Sequence, residues 1–86
     1  MSADNGVYIH RFRNGWRVAE GQAVENIYWN ARKKEMGEAY NHKALRDYFS
    51  NSPLFKTEED AWRYAQRLYK LIMDEFGIVE YGIQVI

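Results

Sequence analysis

Thr57-Glu58-Glu59-Asp60-Ala61-Trp62-Arg63-Tyr64-Ala65-Gln66-Arg67-Leu68-Tyr69-Lys70-Leu71-Ile72-Met73-Asp74-Glu75-Phe76-Gly77-Ile78-Val79-Glu80-Tyr81-Gly82-Ile83-Gln84-Val85-Ile86, residues 57–86, decides the fold class, because its apolar period changes part-way along. Ala61, Ala65, Leu68, Ile72 and Phe76 recur at the spacing of one helix face, widened by Trp62, Tyr69 and Leu71. Thr57-Glu58-Glu59-Asp60 resembles a capping box with Asp in the reciprocal place, and it sets acids at the positive end of the helix dipole. Gly77 is a natural stop. Beyond it Val79, Tyr81, Ile83 and Val85 alternate with Glu80, Gly82 and Gln84, as in a half-buried strand. So apolar a strand is expected to be paired inside a sheet.

Upstream, Val7 to Phe12 and Trp16 to Ala19 are rich in β-branched and aromatic residues and flank Asn14-Gly15, a pair suited to the positive φ angles of a two-residue hairpin turn. With those two as the loop, Arg13 pairs with Trp16, Phe12 with Arg17, Arg11 with Val18 and His10 with Ala19. One face then carries Val7, Ile9, Trp16 and Val18, the better core face; the other carries Tyr8, His10, Phe12, Arg17 and Ala19, with His10 at the surface. Residues 22–35 read either as a helical stripe or as a strand over Ile27-Tyr28-Trp29, the reading preferred here. Tyr40, Ala44, Leu45, Tyr48 and Phe49 predict a short helix over 41–49, capped by Asn41. The expected fold is α+β: a small antiparallel sheet, made of the N-terminal hairpin and the C-terminal strand, packed against two helices on one face, in one domain spanning 1–86.

The 86 residues carry 12 basic and 12 acidic side chains, so a dedicated non-specific DNA binder is not expected. The charges are nevertheless segregated, basic toward the front and acidic toward the back. No cysteine is present, which removes disulfide and thiolate chemistry. The N-terminal residues lack a leader pattern, and no apolar run approaches the ~20 residues that span a bilayer, so a cytoplasmic protein without membrane attachment is expected.

Catalytic and metal-binding patterns are missing from the sequence. The histidines are His10 and His42; the serines, Ser2, Ser50 and Ser52, lie in a tail and a loop, and no phosphate-cradling glycine pattern occurs. Neither an enzyme nor a bound cofactor or metal is expected. Binding surfaces are better represented. Tyr8, Phe12 and Arg17 share a hairpin face, with Arg11 and Arg13 near its tip. Such a face either stacks bases and holds phosphates or is covered by a second layer while the arginines stay solvated. Arg32-Lys33-Lys34 is a basic run beside Glu35. Tyr28, Trp29, Tyr40 and Tyr64 exceed what one small core encloses, which points to a protein-binding surface or a homodimer.

Asp4-Asn5-Gly6-Val7-Tyr8-Ile9, Trp16-Arg17-Val18-Ala19, the run from Gln22 to Trp29, Ser52-Pro53-Leu54-Phe55 and Glu80-Tyr81-Gly82-Ile83-Gln84-Val85-Ile86 together resemble small accessory proteins carried by bacteriophages and prophages. The resemblance spans most of the chain except about residues 30–44, and no catalytic or binding residue comes with it. It implies a protein of the bacterial cytoplasm that binds a host protein complex stoichiometrically, including inhibition of defence systems such as CRISPR effectors. The alternative is a small nucleic-acid-binding module using the basic hairpin. On either reading the candidate contacts are Tyr8, Phe12, Arg11, Arg13, Arg17, Tyr28, Trp29, Arg32, Lys33 and Lys34.

Overall fold

The computed structural model describes residues 5–21, 42–79 and 82–86. Within them lie strands β1 (Gly6–Phe12) and β2 (Gly15–Gly21), helix α1 (His42–Phe49), strand β3 (Leu54–Phe55), helix α2 (Glu58–Phe76) and strand β4 (Ile83–Val85). The fold is α+β. The strand expected over 27–29, the Asn41 cap, and the contacts expected of Tyr28, Trp29, Arg32, Lys33 and Lys34 lie outside the described residues.

The hairpin pairs Phe12 with Gly15, Arg11 with Trp16, His10 with Arg17 and Ile9 with Val18. Its loop is therefore Arg13-Asn14, not Asn14-Gly15. Gly15 instead opens β2 at φ 143°, and a Cβ there would overlap the Phe55 carbonyl oxygen, so glycine is what lets β3 come alongside. The register differs from expectation by two residues. Because side chains alternate with period two, both faces keep their predicted membership.

The sheet order is β3-β2-β1-β4, and it is mixed: β2 is antiparallel to both neighbours, whereas β4 lies parallel to β1. Direction follows from connection. β3 runs toward the hairpin tip, α2 returns over the sheet, and β4 must then run the way β3 did. β4 is an edge strand among the described residues, not the interior strand expected, and β1 takes the buried position instead. Its ladder is short but anchored, with Val7 N–H donating to the Gly82 carbonyl at 2.8 Å and Ile86 N–H to the Ile9 carbonyl at 2.9 Å.

The helices cover opposite faces of the sheet rather than one. On the first face Val7, Ile9 and Val18 are buried against Ala61, Ala65 and Ile72 of α2 and against Val79. The two alanines let the helix approach closely, and each larger side chain buried here contributes about 1.5–3 kcal/mol. Thr57 Oγ1 accepts from the Asp60 N–H at 3.2 Å, and Gly77, at φ 79°, donates its N–H to the Met73 carbonyl at 2.8 Å, so both predicted ends of α2 form. Leu71 and Phe76, assigned to the apolar stripe by spacing, instead stand 64% and 66% exposed. Val79 takes a place in the core after the chain turns at Gly77.

On the second face Tyr8 and Ala19 are buried against Phe49 of α1, with Phe12, Tyr48 and Ile86 half-buried around them. His10 belongs to this core and not to the surface. Its ring stacks on Phe49 at 5.8 Å and meets the edge of Phe12 at 4.8 Å. Its Nδ1 donates to the main-chain oxygen of Ile86 at 2.6 Å. Of the four aromatics counted as surplus, Tyr28, Trp29 and Tyr40 lie outside the described residues. The fourth, Tyr64, is half-buried with its ring 5.2 Å from that of Phe55.

Candidate nucleic-acid interface

The hairpin places two arginines at its free end: Arg11, the last residue but one of β1, on the α2 side, and Arg13 in the turn. Arg11 sits opposite Trp16 in the ladder, and its guanidinium carbon stands 5.8 Å from the centre of the Trp16 ring, within reach of a cation–π interaction. Trp16 in turn pairs with Phe55 of β3. The chain continues from Phe55 into Lys56, which returns to the same end of the sheet. Arg11, Phe12, Arg13, Asn14, Gly15, Trp16 and Lys56 together line a shallow recess of about 280 Å³, and none of these residues is acidic.

Arg11, Arg13 and Lys56 are exposed and form no ion pair among the described residues, whose ion pairs are Lys43–Asp47, Arg63–Glu59 and Arg63–Asp60. Three exposed cations with no ion-pair partner among the described residues set up a local positive potential around the recess despite the neutral total. Beside the recess, Phe55 and Tyr64 join Asp60, Arg63 and Arg67 in lining a second one of about 220 Å³.

Of the residues singled out from sequence, Arg11 and Arg13 meet at this tip and Phe12 borders it. Tyr8 and Arg17 do not take part. Tyr8 is fully buried beneath α1, so its ring offers no surface to a partner. Arg17 is half-buried and donates through Nη1 to the Ser52 carbonyl, tying β2 to the loop after α1. Lys56, Phe55, Tyr64 and Arg67 were not foreseen. A two-residue strand has no alternation to read, so nothing in the sequence set Lys56 beside Arg11.

Among the described residues no group of three or more His, Asp or Glu side chains converges as a metal site, and no helix is long and apolar enough to cross a membrane. No family model, curated protein or solved structure matches the chain.

Proposed function

We propose that this protein acts by stoichiometric binding rather than by catalysis, and that its hairpin tip holds the phosphate backbone of a nucleic acid. The observation that carries this reading is the set of three exposed cations, Arg11, Arg13 and Lys56, around a recess without an acidic residue. Phosphate contacts by such side chains release counterions, so binding is modest for a neutral chain and weakens steeply with salt. Fluorescence anisotropy with labelled DNA and RNA across a salt series tests it. Replacing Arg11, Arg13 and Lys56 together by Gln is expected to weaken binding at least tenfold at low salt and to flatten the log–log salt slope by about 2–3. Salt-independent binding, or an unchanged slope in the triple variant, would overturn the reading.

A second reading is favoured by the other end of the molecule, where Leu71, Phe76 and Ile78 are exposed. Apolar side chains of this size suit a protein partner. In the bacterial cytoplasm, where the phage-protein resemblance would put the chain, that partner would be a host complex, a CRISPR effector among them; a second copy of the chain would fit the same surface. Leu71→Asp with Phe76→Asp should then abolish co-purification with the complex while leaving nucleic-acid binding intact.

A further inference from the structure

Four side chains form one row across the hairpin-tip end of the sheet on the α2 side. Arg11 lies over Trp16, Trp16 pairs with Phe55, and the Phe55 and Tyr64 rings stand 5.2 Å apart at a tilt of 40°. Each of the three rings packs on the first core yet stays half-exposed. Strand spacing of about 4.8 Å between Trp16 and Phe55, added to the ring separation, gives a row on the order of 10 Å. Cations stand at both ends: Arg11, with Arg13 and Lys56, at one, and Arg67, exposed on α2 one turn beyond Tyr64, at the other.

We propose that this row is a stacking platform for unpaired bases, which makes the ligand of the tip a single-stranded nucleic acid. The inference rests on the nucleic-acid reading above and narrows it. A duplex keeps its bases stacked inside, where half-exposed rings on an open surface do not reach them, whereas a single strand presents base faces to aromatic side chains while its phosphates meet flanking cations. With Arg11 over the Trp16 ring, the open rings are those of Phe55 and Tyr64, and the row accommodates about two bases. The rings are sequence-tolerant partners, because every base has a stacking face.

The test compares a labelled oligothymidylate with a duplex of the same length, using the full chain, Tyr64→Leu, Phe55→Leu and Arg67→Gln. The single strand is expected to bind at least tenfold tighter than the duplex. Tyr64→Leu and Phe55→Leu should each weaken it by about 5- to 100-fold with the salt slope unchanged, and Arg67→Gln should flatten that slope by about 0.7. Because both rings also touch the core, circular dichroism melts of each variant accompany the titrations, and Arg67→Gln, on an exposed helix face, supplies a readout independent of packing. Equal or tighter duplex binding that still depends on the tip cations would overturn the stacking platform and leave the nucleic-acid reading standing. Binding to neither probe would overturn both. Folded leucine variants that keep full affinity would show that the rings serve only the core.

Discussion

Tyr48 shows how one atom in the second core links packing to pH. Its hydroxyl is buried without a hydrogen-bond partner among the described residues and abuts Gly21, where a Cβ would overlap it. Burial, with smaller contributions from Tyr8 and Glu20, pushes its pKa up to about 12, against about 10 for an unhindered phenol. Between those values the unfolded chain has lost a proton that the folded chain keeps. Stability from this group is therefore intact below pH 10 and declines as the pH climbs toward 12. Tyr48→Phe should flatten that alkaline decline in urea midpoints. At neutral pH it should be neutral or slightly stabilising, since a buried, unsatisfied hydroxyl is removed. A neutral-pH loss above about 1 kcal/mol would mean that the hydroxyl is satisfied after all. Tyr48 was legible only as part of the apolar stripe of α1, and His10 was read as a surface residue, because no local spacing announces the position of α1 over the second face.

Among the elements, α2 was the most legible because every cue agreed: period, acidic first turn, Thr57 and Gly77. The cap is also the simplest to test. Thr57→Ala should cost about 1 kcal/mol in chemical denaturation, whereas Thr57→Ser should cost much less because the hydroxyl still accepts the Asp60 N–H. Equal losses in both would assign the effect to the methyl group. The hairpin teaches a subtler point. Its loop was placed one residue too late because Asn-Gly is the usual turn pair, yet Gly15 is needed for the approach of β3. The face assignment survived, since only an odd displacement would have exchanged Val7, Ile9 and Val18 with Tyr8 and Ala19. β3 itself was invisible, and with it went Lys56 and Phe55, which is why only the arginine half of the candidate site could be named in advance.

For the whole molecule, β1 is the shared wall of two cores, and residues 82–86 fasten both through Ile83 of β4 on one side and Ile86, just past its end, on the other. Removing residues 82–86 should therefore weaken both layers at once, by roughly 2–4 kcal/mol for two half-buried isoleucines and their ladder. That is a large part of the roughly 5–15 kcal/mol that holds a typical domain. The expected result is a urea midpoint far below that of the full chain, or no cooperative transition; an unchanged midpoint would mean that the hairpin and α2 suffice. The sheet was expected to be antiparallel with this strand inside, and the order β3-β2-β1-β4 corrects both. A β3–α2–β4 crossover forces the parallel direction, and a two-residue β3 cannot be inferred from side-chain pattern. The described borders of the sheet, β3 and β4, are two and three residues long. Borders that brief offer an incoming chain few rungs to climb, so concentrated solutions of the native protein should stay clear and take up no amyloid dye, with self-templated fibre growth checked by geometry rather than by charge.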